Sequence, residues 1–484
     1  ISNQAIDNKE TRTEKSILIT LWIKNAHKVI SYMLGYNDVT LDPKNFEIFF
    51  KQNLVNWVNI AIRTFFGTPK KQSKYSLVSK DQAEVHIEKI TIKPDISQET
   101  VQAAVVMSSN LHKNITEVRE VVTSLNKQFT VFLFVDMEGR KILTKSHEFF
   151  TLASSIAFIN KQFFQIQKDV VIYAMTEEEL KKEMESIYEI MQTSVKEHQK
   201  VRFLETGWYP IFMNTDATHT LFHEGIAGHL LSGRYIVEED SKVFEVMEKD
   251  FSKEKRFAIL KKLTVENKPN LPGTIATYTF DHEGIRAKDI TLMEKGKVVN
   301  YLTNRNSAKR LNKKESNGTA LASSFVVNTV QGPIIVQPEP RISNLIITSH
   351  SKKTEQQLRE DLIKQCKKQK MEFYLEIWSK AGQVNVEDGV FNLEITECDM
   401  VYLDGRREKI WGGLLSGNLF EFIGAIKDIS QETESDNGMC GSESGWVPTH
   451  GEAPYMTLKT FQFIATKKPE KVNMQFNQKH VPEE

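Results

Sequence analysis

The 484-residue chain has little cysteine, little proline and no excess of either charge. Three cysteines, Cys366, Cys398 and Cys440, are too few and odd in number for a disulfide framework, which points to a reducing compartment. With 23 Gly and 13 Pro, a collagen-like or low-complexity protein is excluded. Lys+Arg and Asp+Glu both total 63, so the net charge is zero, which argues against a general nucleic-acid coat or a polybasic membrane binder. Long apolar runs are missing too. The strongest near the N-terminus, residues 17–23, falls far short of the roughly 20 residues that span a bilayer. The chain starts at Ile1, which leaves room for a removed signal segment, and the expected location is the cytoplasm.

What remains is ordinary globular material, 40% hydrophobic and 26% charged, long enough for two or three domains at about 150 residues each. The expected class is α+β. Residues 1–200 alternate helical and strand patterns as an α/β region, and residues 201–466 form a mostly antiparallel β domain. A polar tail covers 467–484. Residues 16–34 read as a helix opened by Ser16, residues 84–93 as a strand, and 130–146 as a hairpin across Asp136–Gly139. Thr176 and Glu179 form a capping box before Leu180, Met184, Ile187, Met191 and Val195 at helical spacing. Further hairpins are expected at 289–302 and 391–411. Between them, 353–371 is a charged helix that packs Leu358, Leu362 and Cys366.

One segment carries metal chemistry: Asp216-Ala-Thr-His219-Thr-Leu-Phe-His223-Glu224-Gly-Ile-Ala-Gly-His229. In zinc hydrolases the spacing His-Glu-x-x-His puts two imidazoles on one helix face, and the Glu takes a proton from the attacking water. Here the second histidine comes six residues on. At 100° per residue that offset is about 240°, so a straight α-helix cannot aim both rings at one ion. Gly225 and Gly228 offer a place for the helix to end or kink. His219 and His223, four apart, pair without distortion. The segment by itself also reads as a satisfied helix surface. Downstream, Cys440 lies between Gly438 and Gly441, where a thiolate can approach a ligand closely. A thiolate with two imidazoles is a sound zinc set, and a lone loop cysteine is also compatible with an incidental thiol.

Taken in order, these segments resemble the TldD/PmbA family of metalloproteases, specifically its metal-bearing TldD-like branch. The resemblance rests on Leu221-Phe-His-Glu224 closing in Gly228-His229, and on Thr279-Phe-Asp281-His-Glu283-Gly284 with Ile290–Gly296. It continues in Asn317-Gly318, Pro340-Arg341-Ile-Ser-Asn344, and Cys440-Gly441 with Val447-Pro448 and Pro454. It covers about 205–465. The family's second histidine falls five residues after its first, and here the spacing is six. The middle Asp of its Asp-Asp-Glu-Gly segment is His282.

The resemblance implies one zinc ion per chain, held by His223, His229 and Cys440, with His219 as a substitute ligand and Glu224 as general base. It implies hydrolysis of short or unfolded peptides inside an enclosed dimer, either a homodimer or a heterodimer with a PmbA-like subunit. The competing expectation is a metal-free, inactive scaffold or peptide-binding subunit that pairs with an active partner. Neither a nucleic-acid partner nor a membrane is expected.

Overall fold

The computed structural model describes residues 16–467, apart from 26–27, 38–42, 68–83, 92–95, 138, 162–165, 238–249, 324–325 and 330–331. The polar tail expected from 467 lies almost wholly outside the described residues.

The first expectation to fall is the helix at 16–34. The run forms an antiparallel hairpin, β1 (Ser16–Asn25) with β2 (Lys28–Asn37), in which Ser16 faces Asn37. Ile17, Ile19, Thr20, Ile23, Val29 and Ile30 are β-branched. Such side chains lose rotamer freedom in a helix and suit a pleated strand, which outweighs the helical spacing. Helix α1 (Pro43–Gly67) follows.

The next elements are β3 (Val85–Ile87), α2 (Gln98–Asn114), β4 (Val118–Val135), β5 (Lys141–Phe158), β6 (Ile166–Ala174) and α3 (Glu177–His198). β5 is central in their sheet. β4 runs antiparallel along one edge of it, while β3 (parallel) and β6 (antiparallel) share the other. The hairpin expected at 130–146 is thus the end of a much longer pair. The capping box is present: Thr176 Oγ1 accepts from the Glu179 amide at 3.2 Å, and Glu179 Oε2 accepts from the Thr176 amide at 3.3 Å. Beyond it, Leu180, Met184, Ile187, Met191 and Val195 are buried with Leu111, Leu152, Ile156 and Phe158. Each such side chain contributes about 1.5–3 kcal/mol by leaving water.

The C-terminal part is organised by one large mixed sheet. Its strands are β7 (Gly207–Met213), β8 (Leu263–Asn267), β9 (Ile290–Glu294), β10 (Lys297–Val298), β15 (Asn344–Ser349), β16 (Phe373–Trp378), β17 (Ala381–Val384), β18 (Val390–Ile395), β19 (Glu397–Tyr402), β20 (Arg407–Lys409), β21 (Gly413–Asn418), β22 (Ile426–Ser442) and β23 (Gly445–Ala465). Short strands β11 (Ala320–Leu321), β12 (Val326–Thr329), β13 (Gly332–Ile335) and β14 (Glu339–Pro340) pair outside it. The helices are α4 (Thr215–Thr220), α5 (Arg305–Arg310), α6 (Glu355–Gln369) and α7 (Leu419–Ala425). Most pairings are antiparallel, with β15–β23 and β16–β7 parallel. The class is α+β, as the residue pattern implied. β23 is the keystone: β15, β7, β21 and β22 all pair with it. The expected charged helix is α6, with Leu358, Leu362 and Cys366 fully buried.

The β4–β5 hairpin rests on the loop at 275–287. Arg140 Nη1 donates to the Gly284 carbonyl, and His282 packs on Phe132 with ring centres 4.7 Å apart. Gly284 has φ +71°, and a Cβ there would meet the Phe134 ring at 2.6 Å. Two histidines lie close together here, His147 buried and His282 partly buried. Burial pushes His147 down to about 4 and His282 down to about 3. His282 Nδ1 accepts the Ala322 amide at 2.9 Å, so that nitrogen carries no proton. Unfolding lets both rings take up protons that the folded chain refuses. The unfolded state therefore binds more protons between pH 6.5 and about 4. Stability falls as pH falls through that window and is complete above 6.5. Each ring should account for about 2 kcal/mol of loss at pH 5. In His282→Asn the amide oxygen still accepts from Ala322. Its urea midpoint should drop less than that of the natural chain between pH 7.5 and 5.0, and an equal drop would remove His282 from this account.

Candidate metal centre

β7 leads into α4, which passes without interruption into a π-helix over Leu221–Leu230. The break or kink expected at Gly225 and Gly228 does not occur. The helix widens instead, and the Leu231 amide bonds the Ile226 carbonyl five residues back at 2.9 Å. Wider winding takes one more residue into each hydrogen-bonded turn, which is how an extra residue fits between two histidines without ending the helix. Gly228 stands five residues after His223, and a Cβ on it would lie 2.6 Å from the His223 carbonyl oxygen. One side of this helix is apolar: Leu221, Phe222, Ile226, Ala227 and Leu230 are buried in the same core as Leu419 and Phe422 of α7. A Cβ on Gly225 would strike Leu419 at 2.8 Å, so α7 packs directly on the helix.

His223 and Glu224 meet Cys440 from near the end of β22. One ligand atom from each of the three lies within 4.8 Å of the others. His223 is 5% exposed, and its Nδ1 is buried with no hydrogen-bond partner. Its Nε2 lies 3.9 Å from a Glu224 carboxylate oxygen. An imidazole with one nitrogen unpartnered and the other toward the Glu224 carboxylate, grouped with a thiol, suits a divalent transition metal. The mixed N, S and O donor set suits a transition metal better than magnesium or calcium.

The other two histidines stand outside that group. His229 Nδ1 donates to the Glu224 carbonyl, and its ring stacks on Tyr235 with centres 5.2 Å apart. Burial pushes it down to about 4, so it is neutral near pH 7, and its Nε2 keeps the lone pair. His219 is partly buried, its ring centre 5.5 Å from that of His223 and its buried Nε2 without a partner. A Cβ on Gly451 would overlap that nitrogen at 1.9 Å, so His219 is wedged against β23.

Glu224 is pushed up to about 7, mainly by burial and further by the neighbouring Cys440 thiol, against the opposing pull of His223 and Arg341. A carboxyl group with that affinity both takes and returns a proton near neutral pH. Asp216 on α4 is likewise pushed up to about 7 by burial. Three neighbours of the site had no role in the sequence reading. Gly451 makes room for His219, and Gly382 of β17 lies against Glu224, with a Cβ position 3.4 Å from its Cγ. The third, Arg341, lies in the Pro-Arg-Ile-Ser-Asn stretch, but nothing in that stretch says which distant hairpin it faces.

A model of the PmbA/TldA metallopeptidase C-terminal domain matches residues 206–465. Two curated relatives named metalloproteases come from Archaeoglobus fulgidus and Methanothermobacter thermautotrophicus. The first is 27% identical over 192 residues, 40% of each chain. The second is 24% identical over 254 residues, 52% of this chain and 50% of the relative. The chain thus spans half or less of the curated relatives it matches. Among solved structures, a Thermotoga maritima protein described as a candidate modulator of a DNA gyrase superposes with a TM-score of 0.60 at 14% identity, covering 93% of each chain. TldE from Thermococcus kodakarensis gives 0.57 at 13%, covering 93% of this chain and 95% of its own. At those identities the likeness is one of fold.

Proposed function

The chain belongs to the PmbA/TldD metallopeptidase family, and from that premise we propose that it is a zinc-dependent peptidase acting on short or unfolded peptides. The observation that carries the reading is the convergence of His223, Glu224 and Cys440 from two distant segments onto one point. His223 and Cys440 would hold the ion. His229 would complete the set through Nε2, because its Nδ1–H is committed to a backbone carbonyl, the usual arrangement behind a metal-binding imidazole. Zinc, when bound, supplies Lewis acidity toward the scissile carbonyl and the attacking water.

Glu224 takes the proton of that water and returns it to the leaving amine, a task suited to a carboxyl group pushed up to about 7. β17 offers a place for substrate. Among the described residues it pairs only with β18, and its Gly382 lies against Glu224. An extended peptide adding to that open edge would pass the carboxylate with its backbone held by strand hydrogen bonds. We place the reaction inside an enclosed dimer, formed with a second copy or with a PmbA-like subunit. No helix among the described residues is long and apolar enough to cross a membrane.

One observation favours a second reading, a metal-free scaffold: neither His229 nor His219 joins the close group. Elemental analysis of gel-filtered protein prepared without chelators or a histidine tag separates the two. About one zinc per chain, together with cleavage of an unfolded peptide, is the expected result. No metal after incubation with zinc would leave the scaffold.

A further inference from the structure

We propose that Arg341 is a positioning residue that fixes Cys440 beside His223 and Glu224; this rests on the metal-site reading above. Cys440 sits close to the end of β22, and the ribbon that β22 makes with β23 closes at Ser442 opposite Gly445. From Thr433 to Ser442, β22 pairs with β23 alone, and past His450, where β15 joins β23, the tip that carries Cys440 has only two strands. A two-stranded ribbon has little stability by itself, so the thiol is only as well placed as the contacts that hold its tip.

Arg341 supplies those contacts. It is 4% exposed and leaves β14 with its own amide bonded to the Thr319 carbonyl at 2.8 Å. Its Nη1 donates to Ser442 Oγ at 2.6 Å, Ser444 Oγ at 2.8 Å and the Gly445 carbonyl at 2.9 Å, while Nη2 donates to the Cys440 carbonyl at 2.5 Å. One planar fork thus grips both strands of the tip and the backbone of the thiol residue itself. A lysine ammonium on a flexible stem cannot span those four acceptors. The outer side of the turn is tied back separately: Arg234, just past the π-helix, pairs with Glu443 at 2.6 Å and with Glu339 at 3.3 Å. The Arg341 guanidinium is also close enough to act on the charges of His223 and Glu224.

The test uses the full chain and reads zinc affinity by chelator competition, melting temperature, and the rate at which iodoacetamide alkylates Cys440 in metal-free folded protein. Cys366 and Cys398 are buried, so native-state alkylation reports Cys440. Arg341→Met and Arg341→Lys should both weaken zinc binding by about 10–100-fold and speed alkylation, with the fold retained. Unchanged alkylation and zinc affinity in folded Arg341→Met would overturn the proposal. If that variant does not fold, the double variant Ser442→Ala with Ser444→Ala removes two acceptors, keeps the cation, and is judged by the same two readouts. A natural chain that binds no zinc defeats the metal reading alone, and the alkylation rates still decide the role of Arg341.

Discussion

Glu224→Gln should lower peptide hydrolysis by about 10²–10⁴-fold while leaving the bound metal in place. Glutamine has nearly the same shape and keeps a polar group beside His223, but it cannot accept the proton of an attacking water. Burial holds the natural carboxyl group near 7, where it exchanges protons readily, and that advantage disappears with the amide. The experiment pairs turnover of an unfolded peptide with metal content on the same preparation. Full activity with the metal retained would remove Glu224 from the chemistry. Loss of metal with loss of activity would make the carboxylate a ligand, which its position within the group of three also permits.

Cys440→Ser and His223→Ala should each weaken zinc binding by more than about 100-fold, whereas Cys366→Ser and Cys398→Ser should retain it. The contrast follows from where the thiols sit. Cys366 is buried on α6, and Cys398 is buried opposite Ile377 in the β16–β19 pair. Among the described residues, Cys440 alone of the three joins a group of ligand-bearing side chains close enough to share one ion. Binding to the native state alone links affinity to stability. Zinc at about 100 times its Kd should stabilise the natural chain by about 2.7 kcal/mol, and Cys440→Ser should lose that increment. Calorimetry with and without zinc reads the difference. Equal zinc loss in all four variants would mean that the assignment is wrong.

Much of the local structure was legible because it is governed by neighbours in sequence. The Thr176–Glu179 capping box satisfies amide groups within one turn, so four residues specify it. The turns at Lys295-Gly296 and Asp404-Gly405 were readable for the same reason, since their glycines take φ +77° and +88°, where a side chain is strained. The reading failed at 16–34, where a helical spacing of apolar residues and a strand-like set of β-branched residues coincide. Pairing with 28–37 decided between them, and that is a contact beyond the local run.

The candidate site divides along the same line. The residue types and their order were there to be read: His223-Glu224, the glycines around them, and a cysteine in a Gly-rich stretch. The sequence by itself determined α3, α6, the turns at Lys295-Gly296 and Asp404-Gly405, and the donor chemistry available for a metal. Tertiary structure decided which donors meet. β23 pairs with both β7 and β22, and so brings the helix that follows β7 to the strand that carries Cys440. It also decided the winding of that helix. Hydrogen bonds to the fourth or the fifth residue back satisfy the same backbone groups, but the wider winding is the rarer one, so something beyond the local backbone has to favour it. Packing separates them here: Leu221, Phe222, Ile226 and Leu230 fill the core, and Leu419 presses on Gly225. The result holds His223 and Glu224 against Cys440 and turns His229 onto Tyr235, an outcome that no spacing rule along the chain contains.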